Sequence, residues 1–529
     1  MAASRHALDE KTPLLRAEQA MNREGVRLLK NLGFNTKGVQ SNIGLEQEFF
    51  LIPRDAYARR LDLQMTGRTV IGRNAPRGQE MCDHYFAPLN QAALACIQAI
   101  QHEAFLMGIP LRTRHREVAP NQYEMAPYFG PATQQIDQNI MVMQICEEVS
   151  NRYGLACLMQ EKPFNDINGS GKHNNWSIGT AEGINLLNVN QVTKATGNPA
   201  VFPILMAALI QGVDKHGDLM RAAISSPGND FRLGACEAPP AIISTYIGES
   251  LTNFLDEFRN GKATEYKPLK KMLKSGVDIV ADFEVPAEDR NRTSPFPYGG
   301  HRFEFRAVGS TQNVSFVNTV LCALTAEAFK NFSDAIEGGA KPEDVAKKAL
   351  NEHWKVIYNG NGYDPAWPDK AVKQGVWRVD SAVDAINMMS DAKNVKLFGD
   401  LGILSKAELD ARKDVNLEHY VGMIEMEALS MIDMIKLQIL PALKEGKIDT
   451  AGVSKALDMV TKGLAGVHHE GDLFKKATLA RSLRLETMIE ARTHVDAAEG
   501  ECPANLWPLA TYKEMLFLDA NQDADGQTI

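Results

Sequence analysis

The sequence predicts an α+β fold, and two observations support this. Four short segments between residues 42 and 308 alternate polar and apolar side chains with a period of two, the pattern of half-buried strands. From about residue 333 onward, apolar residues recur with a helical period opposite charged faces. We therefore expect three parts: an N-terminal helix with its connection over 1–42, a strand-containing part over 43–332, and a mainly helical part over 333–529.

Length, charge and cysteine content narrow the class of protein. A chain of 529 residues can bury a large core, and its net charge of -9 with a pI near 5.8 argues against nucleic acid or an acidic membrane as partner. The seven cysteines are scattered without CxxC spacing, which suits a reducing compartment. The sequence contains no apolar run long enough to cross a bilayer. We expect a cytoplasmic protein, with an organelle left open.

The remaining elements are predicted from apolar spacing and from turn residues. Before residue 333, apolar spacing predicts helices over 17–32, 88–108, 132–160, 199–219, 245–288 and 313–332. The residues rich in Arg, Gly and Pro predict loops with short strands over 54–90, and a double proline predicts a lid-like loop over 229–241. After residue 333, helices are predicted over 341–355, 408–444, 450–464 and 475–498, with a loop at 468–470.

The first predicted strand, residues 42–53, carries Glu46 and Glu48 two residues apart, so that both carboxylates point to one face. Two like charges among apolar neighbours are costly unless a positive group neutralises them. A divalent cation is the simplest such group, and a surface strand with salt bridges is the alternative.

Residues 167–179 combine a glycine-rich turn with a strand. The turn contains Asn168 and Gly169, and its glycines allow the backbone to approach a ligand closely. On the strand that follows, His173, Asn175 and Ser177 share one face. The pattern fits a small-substrate site, and an ordinary polar strand edge is the alternative.

Two further segments add acidic and basic groups. Glu117 and Glu124 flank an Ala-Pro-Asn turn, and Glu304 lies between Arg302 and Arg306 on one strand face. Together the segments supply five glutamates and one histidine, too many acidic groups to converge without cations. Hard oxygen ligands with one imidazole suit Mg²⁺ or Mn²⁺.

Six motifs in the chain resemble those of the glutamine synthetases, and they occur in that family's order. They are GLEQEFF, EVAPNQYE, NGSGKHNNWS, RLGACEAP, NRTSP and RFEFR. The stretch NGNGYDPAW from Asn359, together with GKHNNWS, resembles the type III (long) subfamily. The resemblance covers nearly the whole chain. It implies a curved antiparallel sheet that forms an active-site funnel flanked by helices, and a homo-oligomer of stacked rings.

The resemblance also implies a role for each site residue. One metal ion would be held by Glu48, Glu117 and Glu124, and a second by Glu46, His173 and Glu304. The amino acid would be bound by Asn168, Gly169, Arg232 and Arg306, and the nucleotide by Asn175, Ser177, Arg292 and Arg302. Arg292 would also act in catalysis on the transferring phosphoryl group, and Glu237 would shield the intermediate and help remove a proton from ammonium. One departure is Arg112, which stands where type I enzymes have a glutamate beside the nucleotide.

The implied reaction is the ATP-dependent ligation of ammonia to the γ-carboxylate of L-glutamate through γ-glutamyl phosphate, giving L-glutamine, ADP and phosphate. Two alternatives stay open: a γ-glutamyl-amine ligase that uses another amine, and a catalytically silent structural or regulatory subunit. Residues 1–42 do not resemble the small β-grasp domain that precedes the Glu-x-Glu strand in the family. We therefore expect the chain to be truncated at its N-terminus.

Overall fold

The structure is a computed structural model that describes residues 7–80, 84–235, 238–268, 271–285 and 291–518. Its strands are β1 (Val39–Pro53), β2 (Leu111–Arg116), β3 (Gln122–Pro127), β4 (Gly130–Pro131), β5 (Leu155–Leu158), β6 (Lys172–Thr180), β7 (Thr245–Tyr246), β8 (Lys271–Leu273), β9 (Phe283–Val285), β10 (Phe296–Pro297) and β11 (Phe303–Phe305). Before residue 340 the helices are α1 (Lys11–Asn31), α2 (Arg54–Ala58), α3 (Leu61–Thr66), α4 (Gln91–Leu106), α5 (Ala132–Arg152), α6 (Val189–Thr196), α7 (Val201–Ala223), α8 (Pro227–Arg232), α9 (Glu249–Arg259) and α10 (Ser315–Glu337).

The C-terminal part is helical. Its helices are α11 (Pro342–His353), α12 (Trp367–Gln374), α13 (Ala382–Met388), α14 (Ala392–Asp400), α15 (Lys406–Met434), α16 (Leu440–Glu445), α17 (Ala451–His469), α18 (Leu473–Ser482), α19 (Met488–Glu501) and α20 (Tyr512–Leu516). Two π-helical segments interrupt the series, at Ile435–Ile439 and at Leu483–Thr487. Among the described residues, no helix combines the length and the apolar character needed to cross a bilayer.

Strand β1 organises the main sheet. It pairs antiparallel with β3, β4, β5 and β6, while β11 extends the sheet beyond β6 and β2 extends it beyond β3. Its 15 residues are long enough to pair with several partners along their length. The predicted α+β class and the antiparallel sheet are thus confirmed.

Helices cover the sheet and form one large core with it. Helix α1 packs against α10 and β1, and α7 packs against α10, α11 and α13. Residues 201–210 of α7 are all buried, as expected for an apolar helix enclosed on every face. A second core joins α13, α15, α17, α18 and α19 in the C-terminal part. The division into 1–42, 43–332 and 333–529 stays a prediction.

Two sequence predictions were wrong in extent. The helix predicted over 132–160 ends at Arg152, because Gly154 adopts a φ of +69° and the chain turns back as β5 to pair with β1. Of the predicted helical stretch 245–288, only α9 is helical. Strands β8 and β9 form a hairpin instead, since Gly276 at φ +71° favours a turn between them.

The other differences concern shorter segments. The predicted loops of 54–90 contain α2 and α3 rather than strands. The predicted loop of 229–241 begins with α8, in which the Ser226 side chain caps the first turn and Pro227 occupies the first helical position. The predicted loop at 468–470 is wrong for its first two residues, because α17 continues to His469.

Candidate active site

The register of the sheet brings one carboxylate–histidine cluster together at its centre. Glu46 on β1 lies opposite His173 on β6, and β11 carries Glu304 beside them. The His173 Nδ1 atom is 3.0 Å from Glu46 Oε2 and 3.3 Å from Glu304 Oε1. One ligand atom from each of the three residues lies within 4.8 Å of the other two. The structure therefore places the three predicted ligands of the second metal ion together.

A second cluster lies on the neighbouring strand pair. His115 Nε2 is 3.0 Å from Glu124 Oε1, and His115 Nδ1 is 3.7 Å from Glu117 Oε1. One ligand atom from each of these residues also lies within 4.8 Å of the other two. Sequence reasoning identified both glutamates but missed His115. Its signal was present, because His115 precedes Glu117 by two residues and a strand places both on one face.

Glu48 lies between the two clusters. It is opposite Glu124 in the register of β1 and β3, and its Oε1 atom is 3.6 Å from His173 Nε2. Its other oxygen accepts a hydrogen bond of 2.6 Å from the Gly171 backbone N–H. Glu46 and His173 of the first cluster line one cavity of about 250 Å³ together with Glu48 and the whole second cluster, and Tyr85, Arg292 and Arg306 are also in its wall. Five of the six predicted metal ligands therefore share one cavity, and the sixth, Glu304, lies 3.3 Å from His173 Nδ1.

The electrostatics of this cavity favour cations. Burial raises the pKa of the Glu48 carboxyl, the expected response of a carboxylate removed from water. Burial and Arg306 oppose protonation of His173, but Glu48, Glu304 and Glu46 outweigh them and raise its pKa to about 9. Burial likewise opposes protonation of His115, and its glutamate neighbours raise its pKa to about 9. A divalent cation would replace these two protons as the counter-charge.

The glycine-rich turn lies against the same cavity wall. Asn168 exchanges two hydrogen bonds with the Gln79 side chain, at 2.9 and 3.0 Å, and the Gly169 carbonyl accepts one of 2.9 Å from Gln122. A Cβ atom on Gly169 would lie 2.3 Å from the Glu161 carbonyl oxygen, so only glycine fits there. Sequence reasoning missed Gln79, which carries no periodic signal in its loop.

The predicted arginines surround these groups. Arg232 donates to the Val308 and Arg306 carbonyls at 3.1 and 3.0 Å. Arg306 donates to Glu304 at 2.6 Å. Arg292 donates to the Tyr85 hydroxyl at 2.6 Å. Tyr85 in turn donates to Glu117 at 3.0 Å, so that this unpredicted tyrosine links Arg292 to the second cluster.

A larger cavity of about 800 Å³ adjoins the acidic one, and Glu46 lines both. Three predicted nucleotide-binding residues, Asn175, Ser177 and Arg302, lie in its wall. Arg302 Nε donates to Asn175 Oδ1 at 2.6 Å. This wall also contains the aromatic side chains of Tyr128 and Phe129. It contains Arg112 as well, the residue that stands where type I enzymes have a glutamate. Such a cavity has the size and mixed polarity of a small-molecule site. Glu237 lies outside the described residues.

The antiparallel sheet carries an acidic cavity with two groups of side chains that could hold metal ions, and comparison with known families identifies the class of protein. Residues 26–226 match the family described as "Glutamine synthetase, catalytic domain", and residues 343–451 match "Glutamine synthetase C-terminal domain". The chain belongs to the glutamine synthetase family.

Its relatives agree with the predicted subfamily. The chain is similar to "Type-3 glutamine synthetase" from Dictyostelium discoideum, with 38% identity over 97% of this chain and 75% of the relative. It is 35% identical to a "Glutamine synthetase" from Butyrivibrio fibrisolvens, over 97% of this chain and 77% of the relative. A "Glutamine synthetase" from Bacteroides fragilis is 32% identical, over 97% of this chain and 76% of the relative.

Proposed function

We propose that this protein is a glutamate–ammonia ligase. In this reaction the γ-carboxylate of L-glutamate attacks the γ-phosphorus of ATP, giving γ-glutamyl phosphate and ADP. Ammonia then attacks the acyl carbon, phosphate leaves, and L-glutamine is formed. The observation that carries the proposal is the meeting of four glutamates and two histidines in one small cavity, with Glu304 beside His173, next to a cavity large enough for a nucleotide.

The residues of the acidic cavity fit two divalent cations. Carboxylate oxygens with one imidazole in each cluster form a donor set that suits Mg²⁺ or Mn²⁺. Glu46, His173 and Glu304 would hold one ion. Glu117 and Glu124 would hold the other with Glu48, and His115 lies within reach of the same site. When bound, such ions neutralise phosphate charge and favour in-line phosphoryl transfer.

The chain's own side chains would hold the two organic substrates. Arg232 and Arg306, with Asn168 and Gly169 of the glycine-rich turn, would bind glutamate, since guanidinium groups recognise carboxylates in paired hydrogen bonds. Asn175 and Ser177 would contact the nucleotide in the larger cavity.

Charge that develops during transfer would be stabilised by Arg292 and Arg302, which stand beside the two cavities. Glu237 would exclude water from the acyl phosphate and take a proton from ammonium.

We also propose that the enzyme is a cytoplasmic homo-oligomer. The family resemblance supports stacked rings. Five cysteines in the described residues, Cys96, Cys146, Cys157, Cys322 and Cys502, are free thiols, and this supports a reducing compartment.

The test is phosphate release from ATP with Mg²⁺ or Mn²⁺ and glutamate, with and without ammonium. We expect ammonium-dependent release with an equal amount of glutamine. Methylamine at the same concentration is the control for a γ-glutamyl-amine ligase. Faster turnover with methylamine than with ammonium would contradict the proposal, and so would metal and ATP binding without turnover of either amine.

A further inference from the structure

Helix α8 lies between the catalytic sheet and the C-terminal helices, and it ends at Arg232, the arginine assigned above to glutamate. We infer that the C-terminal helices position Arg232 through a buried cluster of Arg68, Glu427 and Arg484, called here the Arg–Glu–Arg cluster. The inference rests on the proposed function. It assigns the C-terminal part a role in binding glutamate.

One side of α8 faces the sheet. Asn229 donates to the Ile224 and Ala307 carbonyls at 2.7 and 3.0 Å. Arg232, which is 3% exposed, donates to the Arg306 and Val308 carbonyls, just beyond the end of β11. These bonds use the guanidinium's Nη1 and Nη2 atoms. The direction of the Arg232 side chain therefore depends on where the backbone of α8 lies.

The other side of α8 faces the Arg–Glu–Arg cluster. The Phe231 ring lies beneath two guanidiniums, with the Cζ atoms of Arg68 and Arg484 at 4.5 and 4.4 Å from its centre. Arg484 also donates to the Pro227 carbonyl at the start of α8. The cluster therefore contacts the first residue of α8 and the residue immediately before Arg232.

The charged groups of the cluster are buried and paired with one another. Glu427 is 0% exposed and accepts two hydrogen bonds of 2.7 Å from Arg484 and two longer ones, 3.2 and 3.3 Å, from Arg68. Although burial disfavours its charge, Arg484 and Arg68 lower the Glu427 pKa to about 2. The two arginines leave the cluster with a net positive charge, and the π electrons of Phe231 face it.

A local distortion of the C-terminal helices places Arg484. The segment Leu483–Thr487 is π-helical between α18 and α19, and Arg484 is its second residue. A π-helical turn is energetically less favourable than a continuous α-helix and is often found at functional sites. Here it coincides with Arg484, which joins Glu427 to the backbone of α8.

A second anchor acts on the same helix. The Asp230 carboxylate accepts a hydrogen bond of 2.5 Å from the Tyr420 hydroxyl on α15 and one of 3.3 Å from the Ala382 backbone N–H on α13. The side chain of Asp230 is 1% exposed, so these bonds form away from water. Residues 227, 230 and 231 are thus held by the C-terminal part, and residues 229 and 232 by the sheet.

The test is a set of three substitutions, Phe231→Leu, Arg484→Lys and Tyr420→Phe. Each substitution weakens the contacts that hold α8, while residue 232 itself remains arginine. A small displacement of a substrate-positioning group costs up to about 100-fold in kcat/KM. We expect the KM for glutamate to rise roughly tenfold or more in Phe231→Leu and Arg484→Lys and by less in Tyr420→Phe. The KM for ATP should stay within about twofold, because no residue of α8 lines the nucleotide cavity.

The control is Val460→Ala, a fully buried position of the C-terminal core on α17, which packs against α15, α18 and α19. It should lower the unfolding midpoint without changing either KM. Tyr420→Phe removes one oxygen and keeps the ring. This mild variant therefore still tests the inference if Phe231→Leu or Arg484→Lys fails to fold. The shift of the unfolding midpoint caused by saturating glutamate gives a second readout that needs no turnover.

The outcomes distinguish failure of the proposed function from failure of the inference about the Arg–Glu–Arg cluster. Wild-type protein without ammonium-dependent glutamine formation contradicts the proposed function. Active wild-type protein whose variants lose stability but keep the wild-type KM for glutamate overturns the inference, because the cluster is then structural only.

Discussion

The central turn suggests a substitution that tests the site by displacing one guanidinium. Gly171 lies between the glycine-rich turn and β6, and its backbone N–H donates to Glu48. Its φ lies outside the left-handed region, so alanine would cause no backbone strain there. A Cβ atom at this position would instead lie 2.2 Å from Arg232 Nη2 and 2.8 Å from Arg232 Cζ. The change Gly171→Ala therefore acts on Arg232.

The size of the effect follows from these distances. To reach an ordinary contact of 3.4 Å, Nη2 must retreat by about 1.2 Å, and Arg232 is only 3% exposed. Its hydrogen bonds to the Val308 and Arg306 carbonyls would then break or lengthen. A misplacement of about 1 Å in a substrate-positioning group costs about 100-fold in rate. We expect Gly171→Ala to lower kcat/KM for glutamate by about 100-fold, equivalent to about 2.7 kcal/mol.

The assay is steady-state glutamine formation at varied glutamate and saturating ATP, with far-UV circular dichroism to show that the variant is folded. The matched control is Gly422→Ala in α15, where a Cβ atom would meet nothing within 4 Å. It should leave the kinetics unchanged and stabilise the protein by about 0.5–1 kcal/mol. A folded Gly171→Ala protein with wild-type kinetics for glutamate would refute the assignment of Arg232.

Three further predictions concern the metal ions, pH and the nucleotide. Chelation of divalent cations should abolish glutamine formation, and Mn²⁺ at about 100 times its Kd should stabilise the fold by about 2.7 kcal/mol in denaturant titrations; an unchanged midpoint would argue against the site. The pKa of His173 and that of His115 are about 9, above the ordinary value of 6.5, so their stabilisation of the cation-free fold is complete below pH 6.5 and lost as pH rises through 9. Urea midpoints should therefore fall between pH 7 and pH 9.5 in wild type, and less in His115→Asn. The substitution Arg302→Met should raise the KM for ATP about tenfold and spare that for glutamate, since Arg302 lines the larger cavity; equal effects on both would contradict this placement.

The residues at the centre of this site could be predicted from the sequence, because alternate residues of a strand point to the same face. Glu46 and Glu48, and His173 and Asn175, alternate on strands, and the register of β1 with β6 then brings Glu46 and His173 opposite each other. The same reasoning applied to His115 and Glu117 would have found the second histidine. The prediction of helices in the C-terminal part was confirmed for the same reason, since long amphipathic patterns are strong local signals.

What the sequence could not supply depends on long-range packing. Arg68, in the connection after α3, is far in the chain from Glu427 on α15 and from Arg484, so no local pattern indicates that they meet. Likewise Tyr85 reaches Glu117 only because its loop folds over the sheet. The hairpin of β8 and β9 was wrongly predicted as helix, because the spacing of apolar residues in short charged segments fits both the helical period and the strand period.

The proposal of a γ-glutamyl phosphate intermediate is tested most directly by isotope transfer. Glutamate labelled with ¹⁸O in its γ-carboxylate is converted with ATP, divalent cation and ammonium, and the released phosphate is analysed by mass spectrometry. We predict one ¹⁸O atom in each phosphate, because the carboxylate oxygen that attacks the γ-phosphorus leaves with it. Unlabelled phosphate would show that ATP is hydrolysed by water and would contradict the account.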